Sequence, residues 1–206
     1  NPLTGLPGNI AIQREIERRI DSGDLFAVCY MDLDNFKAYN DLYGHSSGDR
    51  VIKATAQIIT TVFKGTGNDD DFVGHVGGDD FLCLTVPDRA EILCSDIINQ
   101  FDAKIKEFYR EKDVQRGFIQ SVNRLGHRQK FPLMSISIAI VTNEKREITH
   151  HAMVAQIAAE LKKYVKQFDG SNYARDRRSD DEPRFFSDEI SNLPDMKEQD
   201  ENQGGS

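Results

Sequence analysis

Apolar residues recur along the chain with the periods of both helices and strands. Between residues 9 and 20, isoleucines recur every four residues among charged side chains, which predicts an amphipathic helix. The nearly all-apolar run over residues 25–31 predicts a central strand that is covered on both faces. That strand leads directly into Asp32 and Asp34, so its carboxyl end is acidic.

The same patterns continue through the chain. Apolar runs over residues 72–76 and 81–86 flank a Gly-Gly-Asp-Asp tetrapeptide and predict a β-hairpin. Further predicted elements are helices over residues 49–63, 89–110 and 151–167, a core strand over 134–141 and an edge strand over 171–175. Helices interleaved with strands predict an α/β (α+β) sandwich, with a mixed, mainly antiparallel central sheet flanked by helices.

Two segments depart from this regular alternation. Residues 111–133 are polar and irregular, and within them residues 117–124 and 128–131 are predicted to pair as a protruding hairpin. Residues 179–206 carry nine acidic and two basic side chains, which is typical of a disordered tail. We therefore expect one domain over residues 1–178, including the extra segment 111–133, followed by the acidic tail.

Charge and composition exclude several classes of protein. The 206 residues contain 26 Lys and Arg against 34 Asp and Glu, and the tail accounts for most of the net charge of −8. The nearly neutral body argues against nucleic-acid binding, and no apolar run is long enough to predict membrane contact. Three cysteines without metal-ligand spacing predict reduced, buried thiols and a cytoplasmic location. Because the chain begins at Asn1 without Met, we expect it to be part of a longer protein. The alternative to a cytoplasmic protein is therefore that this chain is the cytoplasmic part of a larger one.

Four aspartates follow the predicted strands. Asp32 and Asp34 end the first strand, and Asp79 and Asp80 lie at the tip of the hairpin. If these strands are neighbours, the carboxylates converge on one rim of the sheet and provide the oxygen ligands that Mg²⁺ prefers. The alternative is that Asp and Gly at strand ends only form turns.

Three motifs indicate a family. They are Leu3-Thr4-Gly5-Leu6-Pro7, the segment over residues 32–49 (DLDNFKAYNDLYGHSSGD), and Gly77-Gly78-Asp79-Asp80-Phe81. In this order and at these intervals they resemble the GGDEF family of diguanylate cyclases over about residues 2–178. The resemblance implies a fold like that of nucleotide cyclases and polymerase palms. It also implies condensation of two GTP molecules into cyclic di-GMP by a homodimer, with release of pyrophosphate and with Mg²⁺ or Mn²⁺ as cofactor.

The resemblance also implies a role for each matching position. The expected metal ligands are Asp32, the backbone carbonyl of Leu33, and Asp79. The expected catalytic residues are Asp79 as base for the 3′-hydroxyl, Lys37 as the cation at the transferring phosphoryl group, and Asp80. The expected substrate-binding residues are Phe36, Lys37 and Lys166 at the phosphates, Asn40 and Asp49 at guanine, and His45.

The chain departs from the family pattern at four places. Asp80 stands where the family has Glu, and His75 stands where it has Arg. Residues 68–71 lack the arginine of the family's product-inhibition site, so we predict no feedback inhibition there. Lys166 matches a phosphate-binding lysine, whereas Ser171 occupies the approximate place of the following arginine.

Structural interpretations remain open for several of these residues. Asp34 either orients the site or lies in a surface turn, and His45 is either a nucleotide contact or a hydrogen-bonding turn residue. His75 is interpreted as a core histidine with satisfied hydrogen bonds rather than as a ligand. The basic residues at 175–178 either form a solvated strand end or lie near phosphates.

The departures also keep a second function open. A catalytically weak, GTP-binding GGDEF module that controls an adjacent phosphodiesterase domain is the alternative to a cyclase. The extra segment and the chain end resemble a GGDEF subgroup found beside EAL and CBS domains, so additional domains are expected in the full-length protein.

Overall fold

The computed structural model describes residues 1–122 and 128–179. Its helices are α1 (Asn9–Ser22), α2 (Phe36–Tyr43), α3 (His45–Thr66), α4 (Pro87–Ile105), α5 (Glu111–Arg116) and α6 (His151–Val165). Its strands are β1 (Ala27–Asp34), β2 (Phe72–Gly77), β3 (Asp80–Thr85), β4 (Phe118–Val122), β5 (Arg128–Pro132), β6 (Ser135–Thr142) and β7 (Asn172–Arg175). None of these helices is long and apolar enough to cross a membrane.

The main sheet has the strand order β2-β3-β1-β6-β7. All neighbouring pairs are antiparallel except β6 and β7, which are parallel. The prediction of a mixed, mainly antiparallel sheet is therefore confirmed. The central position of β1 explains its nearly all-apolar sequence, because a strand with neighbours on both sides and helices on both faces is buried throughout.

The sheet separates two apolar cores. Odd-numbered residues of β1, such as Cys29 and Met31, pack in the core that contains side chains of α3 and α4. Val28 belongs to the other core, with side chains of α1 and α6. Since side chains alternate across a strand, Asp32 and Asp34 lie on the face that α6 covers.

Several predicted boundaries shift. Strand β1 extends to Asp34, so both acidic residues belong to the strand rather than to a following turn. Helix α3 already begins at His45, which corrects the placement of that residue in a turn. Helix α5 was not predicted, because six residues give too little periodicity; the left-handed Gly117 ends it.

The extra segment pairs as expected, since β4 and β5 form an antiparallel ladder apart from the main sheet. The predicted turn between them, and the acidic tail after residue 179, lie outside the described residues.

Candidate active site

Asp32 and Asp80 meet at one end of the main sheet. They are directly opposed in the antiparallel pairing of β1 with β3. Gly78 and Asp79 form the two-residue turn between β2 and β3, and the positive φ of Gly78 (58°) suits glycine. The turn thus places Asp79 next to the Asp32–Asp80 pair, as the convergence of carboxylates predicted.

Two lysines from α6 reach this acidic group. The Lys162 ammonium lies 2.8 Å from a carboxylate oxygen of Asp32 and donates a hydrogen bond of 2.9 Å to Asp80. The Lys166 ammonium contacts the other oxygen of Asp32 and lies 3.0 Å from Asp34. Since residues four apart lie on one face of a helix, a single face of α6 presents both cations.

Asp34 is held in place by β6 as well as by Lys166. Its second carboxylate oxygen accepts hydrogen bonds from Ser135 (3.1 Å) and Ser137 (2.6 Å), which lie on the same face of the sheet. Asp34 therefore orients a lysine of the site. The alternative of a surface turn is wrong.

Burial and neighbouring charges set the protonation of these carboxylates. Burial raises the pKa of Asp79, and the negative charges of Asp32 and Asp80 raise it further. Burial likewise raises the pKa of Asp80, against the opposing effect of Lys162. For Asp32, burial also opposes ionisation, but the two lysines outweigh it and the pKa is lowered.

The residues expected to bind metal have suitable chemistry, because carboxylate oxygens are the donors that Mg²⁺ and Mn²⁺ prefer. Leu33 has an apolar side chain, so its backbone carbonyl is the metal ligand that it can offer. Nevertheless, within residues 1–122 and 128–179 no three His, Cys, Asp or Glu side chains form a cluster that could hold a metal ion. Both oxygens of Asp32 are instead engaged by lysines.

A cleft of about 400 Å³ reaches the hairpin turn at Gly78. Its lining includes Phe36, Asn40, His45, Asp49, His75 and Gly78. Gly78 immediately precedes Asp79, so the cleft and the acidic group share the hairpin turn. Four of the residues predicted to bind substrate therefore line one cavity: Phe36, Asn40, His45 and Asp49. Of these, His45 lies on the first turn of α3.

Asn40 has an unsatisfied atom in this region. Its buried side-chain oxygen has no hydrogen-bond partner in the structure. A buried polar group without a partner is costly, and a ligand that donates a hydrogen bond relieves that cost. A Cβ atom placed on Gly48 would lie 1.9 Å from the same oxygen, so glycine leaves the space that the Asn40 amide occupies.

The left-handed Asn35 (φ 62°) turns the chain from β1 into α2 and so brings Phe36 and Asn40 to the cleft. Lys37 is exposed on the first turn of α2 and does not line the cleft. The structure thus brings together Asp32, Leu33, Asp79, Asp80 and Lys166 at the sheet, and Phe36, Asn40, His45 and Asp49 in the cleft, but leaves Lys37 outside both groups.

His75 is a core residue, as predicted. It is buried, and its ring stacks on Phe81 with centroids 4.4 Å apart. Nε2 lies 3.1 Å from the Gly78 carbonyl and therefore carries the proton, while Nδ1 accepts a hydrogen bond of 3.0 Å from the Thr4 hydroxyl. Burial lowers the pKa of His75, so the ring is neutral and supports the hairpin turn.

Residues near the chain end have structural partners. Ser171 donates to Asp102 and accepts a hydrogen bond from the backbone of Ile136 (3.0 Å). Arg175 pairs with Glu91 (3.0 Å) and Glu144. The proposed approach of the basic residues at 175–178 to phosphates therefore gains no support from Arg175.

The loop in place of the product-inhibition motif is also engaged. Asp70 pairs with Arg18 (2.9 Å) and Arg19 (3.3 Å) of α1. Arg19 is almost completely buried, so this contact anchors the loop to the body of the domain.

Lys162 is the functional candidate that the sequence analysis missed. Its position continues the four-residue spacing of Val154 and Ala158, both buried on α6. A lysine at the end of an apolar stripe, four residues before Lys166, is the signal that points to it.

Known proteins provide independent comparisons. Diguanylate cyclase DgcP of Pseudomonas aeruginosa is 36% identical over 89 residues, or 41% of this chain and 12% of that protein. Cyclic di-GMP phosphodiesterase PdeR of Escherichia coli is 38% identical over 84 residues, or 40% of this chain and 12% of that protein. The chain thus spans about an eighth of the length of these curated relatives.

Solved structures establish the fold. Diguanylate cyclase SiaD of Pseudomonas aeruginosa, solved in complex with its activator SiaC, superposes with a TM-score of 0.60 at 21% identity. The match covers 84% of this chain and 61% of that chain. The family model described as diguanylate cyclase, GGDEF domain, matches residues 1–167. The chain therefore belongs to the GGDEF domain family.

Proposed function

We propose that this GGDEF domain is a diguanylate cyclase, which condenses two GTP molecules into cyclic di-GMP and releases two pyrophosphates. The observation that carries the proposal is the meeting of Asp32 and Asp80 beside a cleft lined by Asn40 and Asp49. The carboxylates at the end of the sheet suit a triphosphate and its counter-ion. Asn40 and Asp49 in the cleft suit the hydrogen-bonding edge of guanine.

Guanine recognition is assigned to Asn40 and Asp49. Guanine presents N–H donors and a carbonyl acceptor on one edge, and an amide together with a carboxylate can satisfy both kinds of group. The buried, unpartnered oxygen of Asn40 supports this assignment, because a guanine N–H would supply the missing hydrogen bond. Adenine does not present the same arrangement, so the cleft is expected to prefer GTP to ATP.

Each condensation forms one bond and breaks one. The 3′-hydroxyl oxygen of one GTP bonds to the α-phosphorus of the other, and the bond from that phosphorus to the pyrophosphate oxygen breaks. Pyrophosphate leaves with the electron pair, and Asp79 accepts the hydroxyl proton.

Cations neutralise the charge that develops on the phosphates. Lys37 and Lys166 are assigned to phosphate binding. Lys37 lies outside the cleft and has to reach the phosphates from the exposed first turn of α2, and Lys166 has to break its contacts with Asp32 and Asp34. Asp32, the Leu33 carbonyl and Asp79 would hold Mg²⁺ or Mn²⁺, which when bound supplies electrostatic stabilisation of the phosphoryl group.

The product requires two chains. Within residues 1–122 and 128–179 we assign one set of guanine contacts, Asn40 and Asp49, which binds one GTP, whereas cyclic di-GMP contains two guanosine units. We propose a two-fold symmetric homodimer in which each hydroxyl attacks the nucleotide of the partner. The domain is assigned to residues 1–178, including segment 111–133, with residues 179–206 as an acidic tail. It is expected to act in the cytoplasm beside further domains of a longer chain.

Turnover is the direct test. The purified chain is incubated with GTP and Mg²⁺ or Mn²⁺, and nucleotides are separated by chromatography. Formation of cyclic di-GMP, together with no conversion of ATP, supports the cyclase. GTP binding without any product, including at high protein concentration where dimers form, rejects it.

One observation favours a second function. Lys162 and Lys166 already neutralise the Asp32 and Asp80 carboxylates, so these carboxylates are less available to a catalytic metal ion. This is expected of a site that binds nucleotide without turning it over. The second candidate is therefore a GTP-binding regulatory module of an adjacent phosphodiesterase domain. Binding of GTP without turnover, in the assay above, is the result that this candidate predicts.

A further inference from the structure

Lys162 occupies the space between two opposed carboxylates. Its ammonium lies 2.8 Å from Asp32 and 2.9 Å from Asp80, and its side chain is 18% exposed. The same ammonium lies 4.5 Å from the ring centroid of Tyr30, on the preceding position of that face of β1. One cation thus has three partners, all on the face of the sheet that α6 covers.

The sheet creates a need for this cation. Like charges directly opposed on adjacent strands repel each other. Asp32 and Asp80 are such a pair, and burial from water increases their repulsion. A positive charge between them removes the conflict without any bound ion.

We infer that Lys162 is a resident cation of the carboxylate pair Asp32 and Asp80 and competes with divalent metal ions for Asp32. This rests on the proposed function only in taking Asp32 as a metal ligand. Lys162 is therefore a positioning residue that sets the metal affinity of the nucleotide-free site. The nucleotide-free protein is expected to bind divalent metal weakly, because a metal ion must displace an ammonium group that is already paired.

The test measures metal binding without nucleotide. Mn²⁺ is titrated into the purified full chain, and free Mn²⁺ is followed by electron paramagnetic resonance. Lys162→Met removes the charge but keeps an unbranched apolar side chain. Loss of one competing charge at contact distance is expected to tighten Mn²⁺ binding at least about tenfold.

Two further variants isolate the cause. Lys163→Met removes the same charge from the neighbouring, exposed position of α6 and is expected to leave Mn²⁺ affinity unchanged. Lys162→Arg keeps the charge and is expected to bind Mn²⁺ as weakly as the wild type. Equal affinity of Lys162→Met and wild type, or equal tightening by Lys163→Met, overturns the inference.

Thermal melting keeps the test decisive if Lys162→Met folds less well. Without the ammonium, Asp32 and Asp80 repel, so the variant is expected to melt at a lower temperature than the wild type without metal. Mn²⁺ is then expected to raise the melting temperature of the variant more than that of the wild type. An equal or smaller rise contradicts the inference.

The outcome is separable from that of the proposed function. If the wild type forms cyclic di-GMP but Lys162→Met binds Mn²⁺ no more tightly, the inference alone fails. If Lys162→Met binds Mn²⁺ more tightly but the wild type forms no cyclic di-GMP, the cyclase proposal fails and the resident cation stands.

Discussion

Asp32 and Asp80 lie opposite each other on adjacent antiparallel strands, and the ammonium of Lys162 contacts both. Stability alone does not account for this arrangement, because apolar residues at the same positions would need no counter-ion. Acidic side chains concentrated at a partly buried strand end are typical of functional sites.

Removal of the proposed base is the first prediction. Asp79→Asn removes the proton acceptor, which is also a proposed metal ligand, but keeps the size of the side chain. We expect cyclic di-GMP formation to fall at least about 100-fold, since general bases contribute on that order or more. GTP affinity, measured by calorimetry without divalent metal so that neither turnover nor metal binding contributes, is expected to change much less. Asp88→Asn, at an exposed position, is the control that keeps full activity; equal activity of the two variants argues against Asp79 as base.

The cleft predicts a matched pair of glycine variants. In Gly48→Ala the added Cβ would lie 1.9 Å from the Asn40 oxygen, so the amide must move from its position. We expect GTP binding to weaken by about tenfold or more, the scale of one lost hydrogen bond. Gly65→Ala lies on the same helix with no atom within 4 Å of the added Cβ and is expected to bind GTP normally. Similar affinities for both variants would exclude Asn40 as a guanine contact.

The shortened acidic residue of the motif distinguishes the two functions. Asp80 already reaches Lys162 at 2.9 Å, so the additional methylene of Asp80→Glu has no missing contact to restore. For a cyclase we expect turnover to change by less than about tenfold. An increase in turnover of about 100-fold is the scale associated with a misplacement of about 1 Å. It would show that Asp80 limits catalysis in the natural site and would favour the regulatory module. The rate of product formation decides between them.

His75 predicts a pH dependence of stability. Burial holds its folded-state pKa below the ordinary value of 6.5, so the unfolded chain takes up a proton first as the pH falls. The contribution of His75 to stability is present above that value, and the free energy of unfolding is expected to decrease as the pH falls below it. Urea unfolding between pH about 7.5 and about 5.5 measures this. His75→Gln lacks the titrating ring and should show a shallower dependence; an unchanged dependence would assign it to other groups.

Periodicity predicted the parts of the fold that depend on long, regular patterns. The stripe of α6 and the apolar run before Asp32 are visible in the sequence because burial demands them. The Gly-Gly-Asp-Asp turn likewise predicted the hairpin. The convergence of its aspartates with Asp32 followed from placing β1 and β3 as neighbours.

Contacts across long sequence distances were not predictable. Lys162 lies 82 positions from Asp80, and its pairing depends on the register of β1 with β3 and on the face that α6 turns to the sheet. The hydrogen bonds of Asp34 depend in the same way on its register with β6. The short helix α5 was missed for a different reason, because its six residues show no full apolar period.

The central claim is that Asp32 and Asp79 together hold the metal ion of a bound GTP. A crystal structure of the chain with Mn²⁺ and a non-hydrolysable GTP analogue tests it most directly, since anomalous scattering locates manganese. The account predicts one Mn²⁺ bonded to both carboxylates and to the triphosphate, with guanine against Asn40 and Asp49. An analogue bound in the cleft with Mn²⁺ that contacts neither or only one of Asp32 and Asp79 would contradict it.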